Sequence, residues 1–129
     1  MKVTYEIENG KKIKVKTYAN GSVFKYDENG NEIYKKDNSI GIEWWTEYDA
    51  IGRCIHRWDN GGYEEWREFD KKNNIIHFKD NYDEYWKEYD VNGNVIHYKD
   101  NDGIEWWSEH DANGRRIHYK DINGHEGWC

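Results

Sequence analysis

Several residue types recur along this 129-residue chain about every 21 positions, and each is able to do chemistry. Carboxylates come first. Glu43, Glu64, Glu84, Glu105 and Glu126 form one column, and Glu47, Glu68, Glu88 and Glu109 a second. Asp27, Asp49, Asp70, Asp90 and Asp111 form a third, and Asp37, Asp59, Asp80, Asp100 and Asp121 a fourth, so these columns hold 19 of the 26 acids. Paired carboxylates can cleave glycosides. An active site, however, needs one pair whose environments differ from the rest. Recurrence in every unit fits solvated faces and turn caps, so no catalytic residue is assigned and the chain reads as non-enzymatic.

His56, His77, His97 and His118 share a column that Tyr34 occupies in an earlier unit. If each unit adds two strands, neighbours in the column stand ~9.5 Å apart, too far to share one metal through bonds of ~2 Å. A unit of one strand would bring them to ~4.8 Å and permit a metal ladder. The structural reading of these histidines is the stronger, and no metal or cofactor is expected. Asp100-Asn101-Asp102-Gly103 opens like a calcium loop, but position twelve is Asp111 rather than Glu. Trp45, Trp66, Trp86, Trp107 and Trp128 form a further column. Tryptophan rows can pack an array, stack on sugars, cage a quaternary amine or stack on bases. There is no Ser–His–Asp elbow, P-loop or dinucleotide glycine pattern.

The elements that must position these residues are strands. The chain has no Leu or Gln and only three Ala, so strong helix formers are nearly missing, and it has no Pro. Its 35% charged residues and mean hydropathy of −1.29 would suit a disordered chain, but 17% aromatic residues do not. The Asp that follows an aromatic recurs at Asp27, Asp49, Asp70, Asp90 and Asp111, in steps of 22, 21, 20 and 21. After it, Asp-x-Asn-Gly signals a tight turn in which Gly takes positive φ, with Asn73 as the substitute in one unit. A second turn follows at Asn60-Gly61-Gly62, Asp102-Gly103 and Asn123-Gly124, and the one-residue changes of period fall there. Each unit therefore reads as a β-hairpin.

The expected fold is all-β: about six antiparallel hairpins in one elongated, twisted sheet. We read residues 1–129 as a single repeat domain, with a degenerate unit at 1–22, units starting near 23, 45, 66, 86 and 107, and a partial unit at 122–129. Alternation puts Ile42, Trp44, Thr46 and Tyr48 on one face and Glu43, Trp45, Glu47 and Asp49 on the other. Ile33, Ile55, Ile76, Ile96 and Ile117 form a column on the second strand. With the Trp column, it is expected to bind hairpins that would be marginal alone.

The residues Trp107-x-x-His110-Asp111-x-Asn113-Gly114-x-x-Ile117 carry a resemblance. The unit resembles MORN-type repeats, above all the bacterial variant Trp-x-x-Tyr-[Tyr/Asp]-x-Asn-Gly, and Trp45 to Ile55 and Trp86 to Ile96 fit it as well. It is secondarily similar to the YD repeats of Rhs-type toxin shells, although the second aromatic of that pattern is replaced by Thr46, Arg67, Lys87 and Ser108. The resemblance covers nearly the whole chain. It implies a ribbon of hairpins used for interaction or assembly, and some bacterial members are antitoxin components.

Charge narrows the function further. Residues 1–36 carry eight Lys against five acids, whereas residues 37–129 carry 21 acids against 11 Lys and Arg. The acidic part repels phosphates and attracts basic partners, so direct nucleic-acid binding is disfavoured. No apolar run of ~18 residues offers a membrane span, and no signal-peptide core follows Met1. Cys54 and Cys129 are read as free thiols, which suits a cytoplasmic protein. The expected function is a binding or inhibitory protein offering an acidic, Trp-rich surface to a basic macromolecule. That partner would be a toxin, a nuclease or another nucleic-acid-handling protein. Partner contacts are expected at Trp66, Trp86 and Trp107 with Glu68, Glu88 and Glu109. A carbohydrate- or choline-type ligand module and a self-associating structural repeat are the alternatives.

Overall fold

The computed structural model describes residues 1–128, and Cys129 lies outside the described residues. The chain divides into two compact units, Met1–Glu65 and Trp66–Cys129. The architecture is all-β, with thirteen antiparallel strands among the described residues, ordered as in the chain in an open sheet that does not close. The strands are β1 (Lys2–Glu8), β2 (Lys11–Thr17), β3 (Val23–Tyr26), β4 (Glu32–Asp37), β5 (Ile42–Tyr48) and β6 (Cys54–Asp59). They continue with β7 (Glu64–Phe69), β8 (Ile75–Lys79), β9 (Glu84–Tyr89), β10 (Val95–Asp100), β11 (Glu105–His110), β12 (Arg116–Asp121) and β13 (Glu126–Trp128). There are thus six hairpins and a partial seventh, as the repeat predicts. No helix long and apolar enough to cross a membrane occurs among the described residues.

The turn carboxylates explain the Asp columns. Asp90 Oδ1 accepts the amides of Asn92 and Asn94 at 3.0 and 2.9 Å. Asp49, Asp70 and Asp111 repeat this arrangement in their own turns, and Asp59, Asp100 and Asp121 do so at the opposite edge. Each aspartate replaces ladder partners that the backbone loses where it reverses. Gly93 at φ 86° and Asn73 at φ 68° occupy the same left-handed position in their turns. A second set of bonds stitches neighbouring hairpins at the other edge. Asn60 Nδ2 donates to the Gly41 carbonyl and Asn101 Nδ2 to the Tyr82 carbonyl, both at 3.0 Å.

The isoleucine column has a different role from the one expected. In the five hairpins from β3–β4 onward the register slips by one residue, and the residue passed over is Ile33, Ile55, Ile76, Ile96 or Ile117. The column therefore marks a β-bulge repeated at one place, where two residues of one strand oppose one of the other. These isoleucines are half-buried, apart from the exposed Ile117. Among the described residues only Ile13 and Val15, each 5% exposed, are buried apolar side chains. They stand in register between Glu6 of β1 and Lys25 of β3, whose 3.1 Å ion pair reaches across β2.

Cohesion comes instead from cross-strand contacts on the two faces. In the second unit Phe78, Tyr85, Tyr98, Trp106 and Tyr119 form a continuous row with ring centroids 5.3, 6.2, 5.7 and 6.2 Å apart. Such ring pairs contribute roughly 0.5–1.5 kcal/mol each beyond their buried area. On the same face the hydroxyls of Tyr89 and Ser108 donate to the carbonyls of Ile75 and Val95, each at 2.8 Å. His110 occupies the place of Tyr89 one hairpin later. With Ser108 on the Val95 carbonyl, the His110 Nδ1 is buried without a hydrogen-bond partner.

Gly93→Ala should destabilise the protein by about 1–2 kcal/mol, the cost of forcing an L-residue into the left-handed region. Gly93→Asn should cost less, given Asn73. Urea unfolding of both variants tests this, and equal losses would contradict it.

Candidate binding surface

Alternation and register place the expected contact residues on one face of the second unit. Trp66 and Glu68 lie two apart on β7, Trp86 and Glu88 on β9, and Trp107 and Glu109 on β11. The three tryptophans are 38%, 39% and 38% exposed, and the three glutamates keep 66%, 69% and 70% of their side-chain surface. The tryptophans do not stack on one another there. Each strand pair moves the register so that a row across the sheet meets different residue types in a fixed order. Glu68 stands opposite His77, His77 opposite Trp86, Trp86 opposite Lys99, and Lys99 opposite Glu105. The next row repeats it as Glu88, His97, Trp107, Lys120 and Glu126.

Histidine links the two glutamate columns. His77 Nδ1 lies 3.0 Å from Glu68 Oε1, and its Nε2 lies 2.8 Å from Glu84 Oε2. The same ring stacks on Trp86 at 5.0 Å and 9°. His97 joins Glu88 and Glu105 at 3.1 and 2.8 Å and stacks on Trp107 at 5.0 Å and 8°. His118 joins Glu109 and Glu126 and stacks on Trp128. In the first unit His56 joins Glu47 and Glu64 at 3.1 and 2.6 Å, here with Trp58 as a stacking partner at 4.4 Å. Tyr34 keeps half of the arrangement. Its hydroxyl donates to Glu43 at 2.7 Å and its ring leans on Trp45 at 5.6 Å. Burial and that bond to Glu43 push the phenol up to about 12.

Two carboxylates facing one imidazole favour the charged ring, because carboxylate oxygens only accept and only imidazolium donates from both nitrogens. Burial works against the charge at His77. The hydrogen bonds and charges of Glu68 and Glu84 outweigh it, and its pKa stands above the ordinary 6.5. The same balance, with Glu105 and Glu88, raises His97. A protonated bridge carries one net negative charge rather than two, and its ring presents a cation to the tryptophan face. The turn aspartates shift the other way. The Asn94 amide foremost lowers Asp90, and the Asn74 amide foremost lowers Asp70.

No cluster of three or more His, Cys, Asp or Glu able to hold an ion occurs among the described residues. The carboxylate–imidazole bridges were not anticipated from the sequence, although their spacing was visible there. A Glu precedes each His by nine residues, and another follows it by eight, or by seven where the second turn is short. The lysine column that completes each row, Lys79, Lys99 and Lys120, also went unread; Lys79 Nζ lies 5.7 Å from the Trp66 ring centroid. Comparison with known protein families finds none that matches the chain, and no curated protein matches it.

The pH dependence of stability follows from the signs of these shifts. The raised pKa values of His77 and His97 give a contribution fully present below about 6.5 and lost as pH rises through the folded values. The lowered aspartates contribute above 3.8, and that part is lost as pH falls through their folded values. Stability should therefore peak between those limits. His77→Tyr/His97→Tyr, which copies Tyr34, should flatten the alkaline limb in denaturation measured at several pH values. Imidazole NMR titrations of His77 and His97 with midpoints at or below 6.5 would contradict the assignment.

Proposed function

We propose that the protein is a non-enzymatic binding or inhibitory protein that offers the Trp–Glu face of its second unit to a basic macromolecular partner. The observation that carries this reading is the side-by-side exposure of Trp66, Trp86 and Trp107 with Glu68, Glu88 and Glu109 on one face. Trp and Tyr anchors ringed by charge are the usual centres of interfaces. Here the anchors arrive with few conformations left to lose. Stacking on His77 and His97 restrains Trp86 and Trp107, and the ring nitrogens restrain Glu68 and Glu88. Pre-ordered side chains reduce the entropy lost on association.

Regularly spaced carboxylates on a rigid face suit lysine- and arginine-rich surfaces of the kind that handle nucleic acids. A toxin, a nuclease or another enzyme acting on nucleic acid is the class of partner that fits, in an antitoxin, immunity or defence-inhibitor role. The resemblance to MORN-type repeats supports the same reading. The carbohydrate or choline alternative would require an open indole plane. In Trp86 and Trp107 one plane lies against an imidazole, which leaves a single face of each indole for such a ligand.

Capture from a host lysate with wild type and with Glu68→Lys/Glu88→Lys/Glu109→Lys tests the proposal. The wild type should retain a basic protein whose affinity falls steeply with salt, and the triple variant should lose it. Equal recovery by both proteins would sink the acidic-face reading. Trp86→Ala should weaken the captured complex by about 2 kcal/mol if it is a central anchor, read by titration calorimetry.

A further inference from the structure

The first unit carries a surface of opposite character, which a count of net charge conceals. On β2, Lys12, Lys14 and Lys16 alternate with the buried Ile13 and Val15, so three amines leave one face. On β1 the same alternation sends Val3, Tyr5 and Ile7 to that face and Glu6 and Glu8 to the other. The register sets Ile7 opposite Lys12, Tyr5 opposite Lys14 and Val3 opposite Lys16. Across β2, Lys14 meets Tyr26 and Lys16 meets Phe24. Within these three strands no carboxylate shares the face.

The lysines and rings are interleaved. Lys12 Nζ lies 4.3 Å from the Tyr5 ring centroid, and Lys16 Nζ lies 5.1 Å from that of Tyr26. Farther along the face Lys35 lies over Phe24, and Arg57 lies over Trp44 at 4.1 Å. Tyr5, Lys12, Lys14, Lys16 and Tyr26 line a groove of about 550 Å³, and Asp27 and Glu28 line it as well. Those two acids are already engaged. Asp27 accepts amides of its own turn, and Glu28 accepts the Lys12 amide at 3.2 Å.

Alternate residues of a strand are ~6.7 Å apart, and strands two apart are ~9.5 Å apart. The groove therefore offers three cations at regular steps along a line, with a phenol on each side. An extended polymer with one charge per step and flat rings beside its backbone matches that pattern. We propose that this groove binds single-stranded nucleic acid, with phosphates on Lys12, Lys14 and Lys16 and bases against Tyr5 and Tyr26. An acidic peptide would satisfy the lysines but does not by its nature carry a flat ring with every charge, as a nucleic acid strand does. Glu6 and Glu8 of β1 leave the opposite face, Glu32 of β4 is the carboxylate that stands opposite Tyr26, and charges beyond about 8 Å are largely screened at physiological salt.

Fluorescence anisotropy of a labelled short oligo(dT), titrated with the whole protein at several salt concentrations, tests the proposal. Binding should weaken with salt with a log–log slope of about −2, the value for three phosphate contacts on a single strand. Lys12→Gln/Lys14→Gln/Lys16→Gln should bind at least about tenfold more weakly, whereas Glu68→Lys/Glu88→Lys/Glu109→Lys should bind at least as well as wild type. Tyr5→Leu/Tyr26→Leu should lose affinity for oligo(dT) and none for inorganic polyphosphate. If the triple lysine variant fails to fold by circular dichroism, Lys14→Gln alone is decisive, with a loss of about threefold expected. The proposal is overturned if oligo(dT) does not bind, or if the lysine variants bind as wild type does. Polyphosphate binding as tightly as oligo(dT) overturns it too. So does a Lys12/Lys14/Lys16-dependent doubling of mass without oligonucleotide, which would assign the groove to a second copy of the chain.

Discussion

Because the sheet of each unit is one layer thick, every strand residue lies on a face, and cohesion must come from contacts made along the faces. That constraint accounts for the composition. Leucine needs a second layer to be buried against, and this fold supplies none. Flat rings gain contact edge to edge and plane to plane within a single layer. The row from Phe78 to Tyr119 does this on one face, and the imidazole–indole pairs do it on the other. Charged residues serve the same end by bridging strands. Glu68, His77 and Glu84 tie β7, β8 and β9 with two charge-assisted bonds.

The hairpins were legible because turns and alternation are local properties. Asp90 and Gly93 announce their turn within four residues, and Asn73 is readable as the substitute for glycine because Asn tolerates the same backbone region. The bridges were not legible, because they join residues of three strands, and a column read along the chain says nothing about what stands beside it. Glu68 and Glu84 looked like members of separate acidic columns until the register placed His77 between them. The isoleucines misled for a related reason. A regular apolar column looks like a core, but a bulge is a property of the pairing and has no residue signature of its own at Ile76 or Ile96. The Lys excess of residues 1–36 was legible, but not the face on which it is gathered. Counting Lys12, Lys14 and Lys16 together with Glu6 and Glu8 leaves a single positive charge, whereas the two strands keep the amines and the carboxylates on opposite faces.

Protonation gives the Trp–Glu face an adjustable charge. With His77 and His97 charged, the glutamates flanking them are half-neutralised but held in place; with the rings neutral, the face is more negative and less ordered. A partner attracted by charge and a partner attracted by shape would respond to pH in opposite senses. The same side chains therefore set both how strongly the surface attracts and how sharply it is defined.

The stitches at the second-turn edge carry a consequence of another kind. Asn60 reaches back to Gly41, and Asn101 to Tyr82, so each of these bonds closes between one hairpin and the next and involves nothing farther away. A hairpin duplicated in frame would find its neighbours' contacts ready-made, and a hairpin lost would leave the flanking ones able to meet. Unequal recombination could thus lengthen or shorten the array without inventing a new contact. The length of its surface becomes a heritable dial, turned in increments of about 21 codons.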